Sequence, residues 1–379
     1  MKQTEKQQKQ IILLSVSGPD RPGLTSSLTG ILGQYDVSIL DIGQSDIHQT
    51  LNLAIVFEMG EDAQSAPLLK DILMKSYELG LTIKFTPLSR EEYLEWAINK
   101  NNSRYIITVL GRCLTASQIH EVAKVIASYN LNIRTIYRLT HRPLPDDPSR
   151  RVCLEMNVEG AISDRKKMTS DFLEVSSRVG VDIAFQQDNM YYRNRRLVCF
   201  DMDSTLIQTE VIDELARRAG SGEQVSAITE SAMRGEIDFQ ESFKRRIKTL
   251  AGLPESVLAE VAESLPLTEG AERLLSALKI YGYKTAIISG GFTYFGQYLQ
   301  KKLGIDYVFA NELEIKDGRL TGGYVGPIVD GARKAEYLRL LARMEGLSTE
   351  QVIALGDGAN DLMMLNTAGL GIAFQAKPV

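Results

Sequence analysis

Leu197-Val198-Cys199-Phe200-Asp201-Met202-Asp203-Ser204-Thr205 decides how this chain is read. Four apolar residues end in two aspartates, one residue apart, followed by two hydroxyls. A short apolar run bounded by polar residues predicts a strand buried on both faces of a parallel sheet. Ligands in open α/β sheets sit at the carboxyl ends of such strands. Burying unpaired charge is costly, so two carboxylates there call for a cation, a proton or a reaction. The bland alternative is a solvated turn, and the segments downstream weigh against it by supplying partners.

A second apolar run, 285–288, ends in Ser289-Gly290-Gly291. A third, 352–355, ends in Gly356-Asp357-Gly358-Ala359-Asn360-Asp361. A helix over 331–345 carries Lys334 in its first turn, and 370–374 reads as the last strand. Short strands are expected at 307–310, 313–316 and 319–324. Helices are expected at 210–220, 223–234, 239–251 and 255–264 with no strand among them, which reads as a helical cap over a site, and at 270–281 as a helix returning to the sheet. Strands alternating with helices predict a doubly wound parallel sheet. Its strand ends share one edge, so Asp201, Asp203, Ser289 and Asp357 converge, with Lys334 from a helix. Acidic oxygens from two strands suit Mg²⁺. A hydroxyl, glycine N–H groups and an ammonium suit phosphate. A site for both performs phosphoryl transfer by positioning and charge stabilisation.

Upstream, a strand at 11–17 runs into the turn Gly18-Pro19-Asp20-Arg21-Pro22-Gly23. A helix at 24–34, strands at 37–44 and 51–58, a helix at 65–78 and a strand at 81–85 complete a β-α-β-β-α-β, ferredoxin-like α+β module. The pattern then repeats. Residues 104–110 form a strand, Gly111 stands where Gly18 stood, and Leu114-Thr115 matches Leu24-Thr25. Residues 129–133 match 35–39, with a strand at 152–158, a helix at 164–179 and a strand at 181–185. A Pro-rich loop, 141–148, splits the second copy's central strands. The basic stretch 188–196 reads as a linker and a solvated charge run. The expected division is a flexible tail at 1–10, modules at 11–88 and 104–187, and a catalytic region at 188–379 with its cap at about 211–266.

With 379 residues, 44% hydrophobic and 24% charged, the chain has an ordinary soluble composition. A formal net charge of -5 argues against a nucleic-acid partner. No apolar run approaches the roughly 20 residues of a membrane helix, and the polar start is no signal peptide. Cys113, Cys153 and Cys199 are scattered, which fits a reducing, cytoplasmic setting and no structural zinc. His48, His120 and His141 lie outside the catalytic segments.

Gly-Pro-Asp-Arg-Pro-Gly-Leu-Thr after a first strand resembles an ACT domain, a module that commonly binds amino acids. The second copy resembles it by architecture and by Gly111. The resemblance implies an effector such as serine near Gly18, Asp20, Gly23 and Gly111, or a homodimer. Read alone, these glycines merely make turns. Asp-x-Asp-x-Thr, a strand-end Ser, a Lys and Gly-Asp-Gly-x-x-Asp, in that order, resemble the haloacid dehalogenase superfamily. That resemblance implies Asp201 as nucleophile and Asp203 as general acid and base. It puts Mg²⁺ on Asp201, the backbone carbonyl of Asp203 and Asp357. Ser289, Gly290 and Lys334 would hold the phosphoryl oxygens, with Asn360 and Asp361 in support and Thr205 orienting the loop.

A narrower likeness, to phosphoserine phosphatases, rests on Asp-Met-Asp-Ser-Thr with Glu210, Ala-Met-Arg-Gly before Phe239, and Arg245-Arg246. It implies O-phospho-L-serine as substrate. Glu210 would meet the ammonium, Arg246 the carboxylate in a bidentate fork, and Met233 and Phe239 would wall the pocket. Without the resemblance, Glu210 is an acid at a helix start and Arg246 a solvated helix face. Rival readings are a phosphotransferase to an amino-acid alcohol and an amino-acid-binding regulator with a vestigial core. The chain ends at Lys377-Pro378-Val379, where the family usually adds a helix, so a shortened C-terminus is expected.

Overall fold

A computed structural model describes residues 9–35, 37–60, 65–98, 103–141 and 151–376. Most of the expected tail, nearly all of the Pro-rich loop and residues 377–379 lie outside the described residues. The chain divides into two compact units, residues 1–103 and 104–379.

The first unit holds β1 (Gln10–Pro19), α1 (Leu24–Gly33), β2 (Ser38–Ile47), β3 (Thr50–Met59), α2 (Ser65–Glu78), β4 (Thr82–Leu88) and α3 (Arg90–Ile98). Its antiparallel sheet has the order β2-β3-β1-β4. On β3, Leu51, Leu53, Ile55, Phe57 and Met59 alternate inward, as a half-buried strand must. Leu24, Leu28 and Leu32 of α1 and Leu68 and Ile72 of α2 cover them. Sequence analysis named no element at α3. Its signal was a capping box: Ser89 N–H donates to Glu92 Oε2 at 2.7 Å, and Glu92 N–H to Ser89 Oγ at 3.1 Å.

The second unit opens with β5 (Arg104–Gly111), α4 (Ala116–Ser128), β6 (Asn132–Arg138), β7 (Val152–Glu159), α5 (Arg165–Val179) and β8 (Asp182–Gln187). Its sheet order, β6-β7-β5-β8, matches the first module. The repeat extends to side chains. Tyr35 bonds Asp71 in one copy, and the Tyr129 hydroxyl donates to Asp171 Oδ2 at 2.7 Å in the other. A Cβ on Gly18 would stand 2.8 Å from Leu81 Cδ2, and one on Gly111 3.4 Å from Val181 Cγ1. At Gly18 the absent Cβ lets the first strand pack flush on the start of the fourth, whereas at Gly111 the corresponding contact is an ordinary one.

The catalytic region contains β9 (Leu197–Phe200), α6 (Val211–Ala219), α7 (Gly222–Met233), α8 (Phe239–Lys248), α9 (Ser256–Ser264) and α10 (Ala271–Ile280). It continues with β10 (Lys284–Phe292), α11 (Thr293–Leu303), β11 (Tyr307–Lys316), β12 (Arg319–Val325), α12 (Gly331–Met344), β13 (Val352–Gly356), α13 (Leu362–Thr367) and β14 (Leu370–Ala373). The sheet order is β12-β11-β10-β9-β13-β14. β9 lies at the centre, parallel to β10 and β13. Val198 and Phe200 face one core, Leu197 and Cys199 the other, so all four are buried. The helices α6 to α9 form the insert expected between the first two strands.

Three details differ from expectation. The strands expected at 307–310 and 313–316 are one, β11. Its first half runs parallel to β10 and its second half pairs antiparallel with β12. The polar Asn311 reads as a break in the sequence, yet it is buried and bonded inward. The helices α11 and α13 were not named. The linker 188–196 is not simply a solvated run, because Arg195 is buried. Its Nη2 donates to Gln186 Oε1 at 2.8 Å, and its guanidinium lies 5.4 Å from the Tyr192 ring centre. The Tyr192 hydroxyl donates to Glu155 Oε2 at 2.9 Å. Polar partners from the sheet and a tyrosine ring thus take up a charge that composition alone assigns to water.

Candidate active site

The ends of β9, β10 and β13 open into one cavity of about 700 Å³. Asp201, Asp203, Glu210, Phe239, Arg246, Ser289, Gly290, Asp357 and Asn360 all line it. The fold thus brings together expected site residues from five separate elements and loops. Lys334 and Asp361 lie beneath the cavity floor, fully buried. The Met233 side chain lies outside the described residues.

Asp201 is buried and fixed by three contacts. Its N–H donates to Leu355 O at 2.8 Å. Its Oδ1 accepts from Met202 N–H at 2.7 Å and lies 3.0 Å from Lys334 Nζ. The same ammonium donates to Asp361 Oδ1 at 2.6 Å, while Asp361 Oδ2 accepts from Gly358 N–H at 3.2 Å. Burial pushes the Lys334 ammonium toward neutrality, but Asp201 and Asp361 overcome it and its pKa is raised. Burial, then the charge of Asp201, raises the pKa of Asp361 against the pull of Lys334.

Asp203 differs from Asp201. Its Oδ1 accepts from Val211 N–H at 3.2 Å, at the start of α6. Burial, with Glu210 and Asp201 nearby, pushes its pKa well above the carboxylate range. It lies against Gly291, where a Cβ would stand 2.7 Å from Asp203 Oδ2 and 2.6 Å from Met202 Cε. Only glycine allows that approach. Gly291 N–H donates to Ser289 Oγ at 3.0 Å, which orients the strand-end hydroxyl.

Oxygens of Asp201, Asp357 and Asp361, all buried, lie within 4.8 Å of one another. Such a set of hard oxygens fits a hard divalent cation. The side chain of Asp203 is outside this group. The Thr205 Oγ1 is buried without a hydrogen-bond partner among the described residues, so no bond accounts for an orienting role.

At the cap side, Glu210 is the residue preceding α6, yet its side chain makes no capping bond. Ser204 Oγ instead donates to Glu210 Oε1 at 2.9 Å. Ser204 takes a φ of 55°, a left-handed conformation that costs a side chain about 1 kcal/mol. In the sequence Ser204 stands within the Asp-Met-Asp-Ser-Thr motif, with nothing to mark this contact. Arg246 projects from α8 into the cavity, and its Nε is buried without a partner among the described residues. Burial lowers its pKa, opposed by Glu210, Asp213 and Asp203. Asp213 was also missed. Its signal was its place three residues after Glu210, on the same helix face. Phe239 lies over Gly290: a Cβ there would stand 3.1 Å from Phe239 Cζ.

In the ACT-like modules, Gly18 lies near the end of β1 and Asp20 and Gly23 in the β1–α1 turn, where Asp20 N–H donates to Gln49 O at 2.8 Å. Gly111 lines a separate cavity of about 610 Å³ with Arg112, Arg151, Ser176 and Asp182.

The cavity, the buried acidic floor and the helical cap define a haloacid dehalogenase-like hydrolase, and the model of that family matches residues 198–366. ACT-domain models match residues 10–86 and 103–186. Phosphoserine phosphatase SerB2 of Mycobacterium tuberculosis is 41% identical over 97% of this chain and 87% of its own. A phosphoserine phosphatase of Archaeoglobus fulgidus is 39% identical over 86% and 90%. The chain belongs to the phosphoserine phosphatase family. Among solved structures, a HAD-family hydrolase from Salmonella enterica serovar Typhi superposes with a TM-score of 0.62. It is 34% identical and covers 73% of this chain and 90% of its own. A probable phosphoserine phosphatase from Vibrio cholerae gives 0.54 at 36% identity, covering 72% and 79%. The protein is thus a metal-dependent phosphoric monoester hydrolase with two N-terminal ACT domains. No helix among the described residues is long and apolar enough to cross a membrane.

Proposed function

We propose that this protein hydrolyses O-phospho-L-serine to L-serine and phosphate through an aspartyl-phosphate on Asp201, with Mg²⁺ as its metal. One observation carries the reading: Glu210 and Arg246 line the same cavity as Asp201, Asp203 and Ser289. An ammonium, a carboxylate and a phosphate on one small substrate thus each find an opposite charge or a donor within one enclosure.

The substrate phosphate sits between Ser289 Oγ, the Gly290 and Gly291 backbone and the floor held by Lys334. Asp201 has Oδ1 fixed by Met202 N–H and Lys334, which leaves Oδ2 to attack phosphorus. The P–O bond to serine breaks, and the departing oxygen takes the proton of Asp203. Its raised pKa keeps that proton available, as a general acid requires. Asp203, now a carboxylate, takes a proton from water as the water attacks the phosphoryl-aspartate. Phosphate leaves and Asp201 is restored. Asp201, Asp357 and the backbone carbonyl of Asp203 would hold Mg²⁺, since both oxygens of Asp361 already accept from Lys334 and Gly358. Bound there, the cation supplies positive charge to the phosphoryl oxygens. Asn360 supports the phosphate, and Phe239 closes the cavity against water.

The ACT domains are proposed to bind serine or another amino acid at Gly18, Asp20, Gly23 and Gly111, or to hold a homodimer in the cytoplasm. Phosphate release with Mg²⁺ from O-phosphoserine, O-phosphothreonine, phosphoethanolamine, glycerol phosphate and a sugar phosphate tests the substrate. Strong preference for phosphoserine is expected. Equal turnover of glycerol phosphate would discard the Glu210 and Arg246 assignments.

A further inference from the structure

We infer that Asn311 is a positioning residue for phosphoryl binding, a buried pin between the Ser289–Gly291 loop and the chain entering the Lys334 helix. The inference rests on the proposed phosphate site. Asn311 is 2% exposed and stands at the switch point of β11, its last residue paired with β10. Its Nδ2 donates to Gly290 O at 2.7 Å and to Gly291 O at 3.3 Å. Its Oδ1 accepts from Val329 N–H at 2.8 Å. Two carbonyls on one side and an N–H on the other fix which end of the amide is nitrogen.

These contacts join two elements that grip the same ligand. Gly290 and Gly291 follow Ser289 directly. Val329 precedes Asp330, which caps α12 by accepting from Arg333 N–H at 3.0 Å. Lys334 N–H donates to Asp330 O at 2.8 Å in the next turn. Val329 O also lies 3.5 Å from where a Gly290 Cβ would be, so loop and helix entry pack directly on each other. A shift of either moves the hydroxyl and the ammonium out of register. Asn311 touches neither, and it does not line the cavity. Its amide answers three backbone groups, two carbonyls of the loop and one N–H before the helix.

Asn311→Asp tests this in the full-length protein. The carboxylate keeps the size and the acceptor for Val329 but removes both donors and faces two carbonyls. Binding of inorganic phosphate with saturating Mg²⁺ is measured by calorimetry, at a temperature where circular dichroism shows the variant folded. Phosphate affinity is expected to fall roughly tenfold, the loss of about one buried hydrogen bond. The kcat/KM for phosphoserine and for phosphoethanolamine should fall by similar factors, because the phosphate is common to both. A merely structural residue would lower Tm and leave phosphate affinity unchanged. Affinity and kcat/KM within twofold of wild type would therefore overturn the inference, whatever Tm does. Should Asn311→Asp not fold, Asn311→Ser, which keeps one donor, carries the same comparison with a smaller loss. If wild type prefers another ester over phosphoserine, the phosphate titration still decides on Asn311. If wild type binds no phosphate, the site reading fails and this inference with it.

Discussion

Lys334→Met removes an ammonium that is wholly buried between two carboxylates, 2.6 Å from Asp361 and 3.0 Å from Asp201. The side chains of Asp361 and Asp201 are 0% and 5% exposed, so water cannot take over the lost contacts. Removing one partner of a buried ion pair costs about 3–5 kcal/mol. Two stranded acids put this case at the upper end. In a region of this size each kcal/mol moves Tm by roughly 2–4 °C, so the variant should melt about 10–15 °C below wild type in the presence of a chelator. Two controls separate charge from lost volume. Mg²⁺ should narrow the gap, because a cation held by Asp201 and Asp357 replaces part of the missing charge beside Asp361 and binds only the folded state. Adding Asp361→Asn removes one stranded acid and should recover part of the Tm while phosphatase activity stays absent. Thermal melts followed by circular dichroism, with chelator and with Mg²⁺, make the comparison. A Lys334→Met variant melting within 3 °C of wild type, or one that Mg²⁺ does not rescue beyond its effect on wild type, would refute the charge argument.

Asp201→Asn should abolish phosphate release while circular dichroism shows the fold intact, Lys334 keeping Asp361 as its partner; residual turnover above a few per cent would remove Asp201 as nucleophile. Arg246→Ala should raise KM for phosphoserine at least tenfold and change KM for phosphoethanolamine, which has no carboxylate, by less than threefold. Similar losses on both would detach Arg246 from the carboxylate. Ser204→Gly relieves the left-handed strain, worth about 1 kcal/mol, so Tm should hold or rise slightly. It also removes the Ser204 hydroxyl from Glu210 Oε1, and KM should rise severalfold for phosphoserine and phosphoethanolamine but not for 3-phosphoglycerate, which lacks an ammonium. An unchanged ratio between ammonium-bearing and ammonium-free esters would mean that Ser204 does not position Glu210.

What the sequence made legible follows from the range of the forces involved. The four buried residues of β9 and the acids after them are a local signal, because a strand between two layers must be apolar and its end must not be. The convergence of Asp201, Ser289 and Asp357 needed only the rule that parallel strands share an edge. The repeat was readable because both copies obey the same alternation and the same turn. Glu210 and Arg246 were harder. An acid before α6 reads as a cap, and only the Ser204 contact shows that its side chain turns elsewhere. Asn311 and Arg195 lay beyond local reading. A polar residue that ends an apolar run and one that pins two loops look identical until strand register decides what faces them, here Val329 and Gly290. Arg195 belonged to a basic run, and its burial depends on Tyr192 of that same run and on Gln186 at the end of β8. The residues that do chemistry were therefore legible because bond-making needs fixed residue types at strand ends. Those that hold them in place are read only from the fold, since any buried donor in the right register serves, and sequence carries no mark of register at such a distance.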